Sequence, residues 1–336
     1  MKELLKKVVD GENLTRDEAA RAMDMMLEGE VSEVLMSAFL TALRMKGETI
    51  EEIVGCTEMM KSKGGSVRLN TDEYIDFVGT GGDATNTFNI STTSMFVCAA
   101  AGVTIAKHGN RAASSKSGSS DLLEALGVNI MLEPSQVEQC INETGMGFMN
   151  AQKFHKAMKN VAPVRREIKI RTIFNMLGPL SNPSGATRQV IGVFSREKVS
   201  VFSRVMSTMG VKRAMVVCGC DGMDEITVTG KTYVNEIKDG QIIEYEIDPK
   251  DYGIEYARPE DIIGGDGKEN AEIARKIFAG EKGAKRDIVV LNSAAGIYIG
   301  GKAESYKEAV EIAKNTIDSG KVIEKVQQLV DVTNRF

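Results

Sequence analysis

Three polar stretches of this chain hold most of the side chains that could do chemistry. The first, Gly79-Thr80-Gly81-Gly82-Asp83, follows a short β-rich run, and its glycines leave backbone N–H groups free of any Cβ, so the loop can wrap an anion. It is followed by Asn89-Ile90-Ser91-Thr92-Thr93-Ser94, which opens an apolar run and reads as a hydroxyl-capped helix start that adds N–H donors and positive dipole beside the glycines. The second stretch begins Lys107-His108-Gly109-Asn110-Arg111 and runs on through Ser119, mixing cations, hydroxyls and glycines. Together they point to a phosphate or pyrophosphate ligand. The third, Asp221-Gly222-Met223-Asp224-Glu225, places adjacent carboxylates after a strand, which suits Mg²⁺, a hard cation that takes one or two carboxylates plus phosphate oxygens. A glycine-rich turn is often only a turn, and the spacing here is neither GxGxxG nor a P-loop. Packing, however, does not require Lys107, Asn110, Arg111, Ser115 and Ser119 together at consecutive strand ends.

The elements that must position these loops follow from periodicity. Strands are expected at 74–78 and 103–106 with the helix 95–103 between them, then a helix at 120–126, a strand at 128–132 and a helix at 134–144 that starts on a proline. A helical stretch at 154–168 and a turn-rich loop at 175–183 follow. Strands at 189–194 and 213–218 flank a helix at 197–209, a hairpin spans 231–247, and 267–336 reads as terminal helices. This alternation predicts an α/β fold with a mostly parallel central sheet, right-handed crossovers and helices on both faces. Open sheets of this kind bind ligands at the carboxyl ends of their strands.

Residues 1–65 read as a small N-terminal helical domain. Thr15-Arg16-Asp17-Glu18 and Thr49-Ile50-Glu51-Glu52 match the capping-box pattern, and each precedes apolar residues at helical spacing. Its methionines read most simply as core, and such adaptable side chains also suit a helix–helix dimer interface. A join at 63–66 leads to a larger α/β domain over 70–336.

A net charge of −5 argues against a general nucleic-acid binder, so the basic cluster at 107–116 reads as a site rather than a face. No stretch reads as a membrane span, and the charged amphipathic beginning has no apolar signal core, so a cytoplasmic protein is expected. The five cysteines are odd in number and mostly lie in apolar segments, as reduced core thiols do.

GTGGD at 79–83, NIST at 89–92, KHGNRAASSKSGSSDLLEALG at 107–127, VAPVRREIKIRTIFNMLGPLSNP at 161–183 and DGMDEI at 221–226 resemble, in order and over essentially the whole chain, the anthranilate phosphoribosyltransferases of tryptophan biosynthesis. These are enzymes of the nucleoside phosphorylase/phosphoribosyltransferase-like family. The resemblance implies that phosphoribosyl pyrophosphate (PRPP) is held by Gly79, Gly82, Asp83, Thr87, Asn89, Ile90, Ser91 and Thr92, with Lys107, His108, Gly109, Asn110, Arg111, Ala112, Ala113, Ser114, Ser115 and Ser119 from the second loop. It implies anthranilate beside Gly79, Asn110, His155 and Arg165, and Mg²⁺ on Ser91, Asp224 and Glu225. It further implies that helices from about 165–185 return to the helical domain, and that the chain forms a homodimer through that domain. No nucleophile is expected, since pyrophosphate departure calls for electrostatic stabilisation. Asn150, Lys156 and Lys169 depart from the usual pattern on the acceptor side. A pyrimidine nucleoside phosphorylase-like enzyme, a transferase with another aromatic acceptor, and a nucleic-acid-binding paralogue are the alternatives.

Overall fold

The structure is a computed structural model that describes residues 1–83, 85–111 and 116–336. The chain opens with four helices: α1 (Lys2–Val9), α2 (Arg16–Leu27), α3 (Glu33–Lys46) and α4 (Ile50–Ser62). Both expected capping boxes are made, Thr15 with Glu18 and Thr49 with Glu52. The α/β part then alternates: β1 (Tyr74–Gly79), α5 (Ile90–Ala100), β2 (Thr104–Gly109), α6 (Ser119–Ala125), α7 (Pro134–Thr144) and β3 (Met146–Asn150). Three short helices, α8 (Ala151–Phe154), α9 (Ala162–Ile168) and α10 (Phe174–Leu180), lead to β4 (Arg188–Gly192), α11 (Arg196–Thr208) and β5 (Arg213–Gly219). The hairpin β6 (Thr232–Lys238) and β7 (Gln241–Ile247) is followed by α12 (Gly267–Phe278), α13 (Ala284–Ile299), α14 (Tyr306–Asp318) and α15 (Lys321–Thr333).

The sheet order is β3-β2-β1-β4-β5-β6-β7. The first five strands are parallel, and β6 and β7 run antiparallel at one edge. The chain builds outward from β1 to β3 and then crosses back to place β4 on the other side of β1. The carboxyl ends of β1 and β4 therefore form the point at which the winding reverses, where a crevice opens between diverging connections.

Strand alternation sends successive residues to opposite faces. Val190, Met215 and Val217 enter a core built with α5, α7 and α12–α15, whereas Ile191, Ala214 and Val216 enter a second core with α1–α4 and α9–α11. The N-terminal helices therefore share one continuous apolar cluster with a sheet face. Contacts of α9 with α3 and of α10 with α4 complete that layer.

Three local expectations differ from the structure. Residues 128–132 form no strand; they run beside α15, where Asn129 N–H donates to Thr333 Oγ1 (3.2 Å). The outer parallel strand is instead β3, buried along its whole length, so it carries no alternation for periodicity to detect. The turn-rich 175–183 is largely the helix α10 with Pro179 inside it, because Phe174, Met176, Leu177 and Leu180 bury an apolar face that outweighs the Gly-Pro signal. The stretch 154–168 is broken, with His155 at a kink between α8 and a 3₁₀ turn and with Pro163 in the first turn of α9.

Because the helical layer and the sheet share a core, Ile191→Ala should cost about 2–5 kcal/mol and leave a single calorimetric transition. Two resolved transitions would show that the layers unfold independently.

Candidate functional site

Two cavities meet at the carboxyl edge of the sheet. One of about 330 Å³ is floored by the 79–83 loop, the start of α5, Lys107, Ser119, Asp224 and Glu225. The other, of about 570 Å³, lies between the sheet edge and α8–α10. Gly79, Thr80, His108, Gly109, Asn110 and Asn175 border both. The expected anion loops thus lie on adjacent strands, and Gly79 and Asn110 stand on the shared wall.

The acidic loop reaches this edge by crossing the end of β4. A Cβ on Gly192 would overlap the Asp224 backbone, and one on Gly79 would strike its carboxylate, so only glycine at both strand ends allows the approach. Asp224 Oδ2 accepts from Gly81 N–H (2.6 Å), and Glu225 Oε1 accepts from Ser91 N–H (3.0 Å). Burial pushes Asp224 up to about 7, with Asp83 adding to the effect, and lifts Glu225 well above the carboxylate range, with Asp224 adding to it. Lys107, 1% exposed, lies below them; it donates to the Phe77 carbonyl and feels Asp76, Glu225 and Asp224, while burial draws its own pKa down. Among the described residues no three His, Cys, Asp or Glu side chains are drawn together as a ready metal cluster. Two adjacent carboxylates whose charge is made costly by burial nevertheless gain from a cation beside them, and that donor set fits a divalent cation arriving with phosphate oxygens.

The N-terminus of α5 departs from the expected hydroxyl cap. Its N-cap is Asn89, which makes no capping bond. The Asn89 amide donates to Ser117 O (3.1 Å), and its Oδ1 accepts from Ser117 Oγ (2.9 Å) and Asn270 Nδ2 (2.9 Å). Thr92 Oγ1 donates to Ser119 Oγ at 3.1 Å, stapling the starts of α5 and α6 together. Ile90 is buried, so its contribution to a ligand is through backbone. Thr87 pairs with Ile263 in an isolated bridge. Arg111 turns its guanidinium to Asp121 (3.0 Å) and Glu124 (2.7 Å). Ala112, Ala113, Ser114 and Ser115 lie outside the described residues.

The larger cavity is walled by Met60, Met158, Phe174 and Pro179. Arg165 enters it from α9, its guanidinium 5.4 Å from the Phe174 ring centre; burial lowers its pKa, and among the described residues it has no ion-pair partner. His155 Nε2 donates to Ser181 O (3.1 Å), and its ring meets His108 edge-on at 5.0 Å. Burial drives His108 down to about 3, with His155 adding to the effect, so that ring is neutral in ordinary buffers. His108 thus turns its ring to His155, away from Lys107 on the same strand. Lys156 borders the cavity, and Asn150 caps α8 from within the core. Lys169 takes a left-handed conformation (φ 48°) as the C-cap of α9, a backbone that favours glycine. Asn270, Asn175 and Arg171 carry no local signal, since each reaches the site from a distant element.

Unobstructed loop backbone, a buried lysine and an acidic pair, beside a partly apolar pocket that holds an arginine with no ion-pair partner among the described residues, suit a transferase that takes a phosphorylated donor. The chain belongs to the glycosyl transferase family: the profile of its a/b domain matches residues 71–323 and that of its helical bundle domain residues 2–64. It is 53% identical to the anthranilate phosphoribosyltransferase of Acetivibrio thermocellus, over 100% of this chain and 97% of that one. The Thermus thermophilus anthranilate phosphoribosyltransferase superposes with a TM-score of 0.93 at 41% identity, covering 98% of this chain and 99% of that chain. The Saccharomyces cerevisiae enzyme in complex with PRPP and Mg also gives 0.93, at 26% identity, covering 100% and 98%.

The raised carboxyl of Asp224 has a pH consequence. Unfolded, it titrates near its ordinary value of about 4; folded, it titrates at about 7. The native fold keeps a proton that the unfolded chain releases, so stability is lost as pH rises between the two. In EDTA, Asp224→Asn should match wild-type Tm near about pH 4 and exceed it increasingly toward about pH 7. A constant difference across that window would place the charge penalty elsewhere.

Proposed function

We propose that this chain transfers the 5-phosphoribosyl group from PRPP to the amine of anthranilate, releasing N-(5-phosphoribosyl)anthranilate and pyrophosphate, a step of tryptophan biosynthesis. It is a pentosyltransferase that uses Mg²⁺. The observation that carries this reading is the wall of Gly79 and Asn110 between an anion cavity and an apolar cavity holding the Arg165 guanidinium. Cleavage of the ribose C1–oxygen bond leaves positive charge on the sugar and negative charge on pyrophosphate. Loop N–H groups, the start of α5 and Lys107 stabilise the departing anion. Arg165 meets the acceptor carboxylate in a two-bonded fork and turns the amine toward the wall. The lone pair of a weakly basic aryl amine is available without a strong base, so neutral His108 and His155 orient the ring and its surroundings. Ser91, Asp224 and Glu225 would hold Mg²⁺, which when bound neutralises pyrophosphate charge.

The intact acidic pair favours a pyrophosphate donor over the phosphorolysis of a nucleoside. Among the described residues no helix is long and apolar enough to cross a membrane, and work in the cytoplasm fits the biosynthetic relatives. We also propose a homodimer through the helical layer, where α3 exposes Val34 (81%) and Met45 (82%). Met45→Glu with Val34→Glu should shift light-scattering mass from dimer to monomer; an unchanged mass would move the interface.

Anthranilate fluorescence should decay only when PRPP, Mg²⁺ and native protein are all present, and decay without PRPP would refute the donor. Arg165→Ala should raise the anthranilate KM about 10- to 100-fold with the PRPP KM nearly unchanged. Equal rises in both would deny Arg165 its carboxylate.

A further inference from the structure

The loop 79–83 has to keep a particular shape with almost no side chains to hold it. Gly81 (φ 67°) and Gly82 (φ 75°) are consecutive left-handed residues, and such a segment has many unbound conformations of similar energy. Among the described residues, three bonds tie its backbone to other elements. Thr80 N–H donates to Gly192 O (3.0 Å), continuing the pairing of β1 with β4. Gly81 N–H donates to Asp224 Oδ2 (2.6 Å). The Gly82 carbonyl accepts from the Arg171 guanidinium.

These tethers differ in what the reaction does to them. The bond between Gly81 and Asp224 joins an N–H needed by the donor's anion to a carboxylate needed by the cation, so occupation of the site competes with it. The bond to Gly82 involves neither group. Arg171 borders neither described cavity, so it reaches the donor only through the loop. Its guanidinium lies 4.0 Å from the Phe194 ring centre, and its own carbonyl accepts from Arg44 of α3. It sits between α9, which carries Arg165, and α10, so the acceptor's arginine and the donor's loop hang on one short segment.

We propose that Arg171 is a positioning residue: it holds the 79–83 loop in its anion-receiving shape and ties that loop to the helical layer through Arg44. This rests on the PRPP reading above. A planar guanidinium can stack on Phe194 with its face while donating to Gly82 with its edge, and an ammonium group cannot do both. The side chain is exposed, so its replacement leaves the core intact.

The test is steady-state kinetics of Arg171→Met, Arg171→Lys, Arg44→Ala and the Arg44→Ala/Arg171→Met pair, with calorimetry of pyrophosphate binding in Mg²⁺ and thermal melts. Arg171→Met should raise the PRPP KM about 10- to 100-fold and weaken pyrophosphate to a similar degree. The anthranilate KM should stay within about twofold and Tm within about 2 °C. Arg171→Lys should retain most of the defect, Arg44→Ala should give a smaller one, and the pair should be no worse than Arg171→Met alone. A wild-type PRPP KM in Arg171→Lys would overturn the proposal, since a bare charge would then suffice. So would a defect confined to anthranilate, or one that tracks a fall in Tm. Absent wild-type turnover with Arg171-dependent pyrophosphate binding would refute the acceptor assignment and uphold the tether, whereas absent wild-type binding would refute the donor reading and the tether with it.

Discussion

Asp224 and Glu225 sit where charge is costly, and much of the molecule is arranged around that fact. Both are buried and both have raised pKa values, and Asp224 presses on the ends of β1 and β4. Gly79 and Gly192 give the acidic loop room to cross β4, while Lys107, Gly81 N–H and Ser91 N–H offset part of the negative charge. Burial of the pair is thus an electrostatic cost that the fold bears at these strand ends.

The two faces of the sheet give the two cavities different surroundings. The smaller cavity rests on α5, which packs against α13 in a core of aliphatic and aromatic side chains. The larger cavity is assembled from short helices, a 3₁₀ turn and the N-terminal layer, which share the opposite core. The two cavities meet along the strand ends, where Gly79, His108, Asn110 and Asn175 are among the residues that border both.

Much of this is legible in the residues. The 79–83 loop, the 107–111 loop and the acidic pair all lie within contiguous motifs whose types announce their chemistry, and the capping boxes form as their spacing predicts. The outer strand escapes periodicity because β3 is buried on both faces and carries no alternation, while 128–132 has the composition of a strand but lies beside α15 without a ladder partner. The helix α10 is masked by Gly178-Pro179, whose local preference gives way to the buried apolar side chains around it. In place of the hydroxyl cap expected on α5 stands Asn89, whose side chain is engaged by Ser117 and by Asn270, the latter 181 residues away.

The α/β class could be read before any fold was known because strand and helix patterns alternate along the chain, and the glycine loop, the basic loop and the acidic pair because each is encoded within a few adjacent residues. Other features exist only once the chain has packed: Lys107 buried beneath the acidic pair, His108 turned to His155, and Arg171 holding Gly82. The sharing of one core between the helical layer and a face of the sheet is of the same kind. These outcomes depend on strand order and on which face a side chain meets, and both are set by packing between segments far apart in the chain.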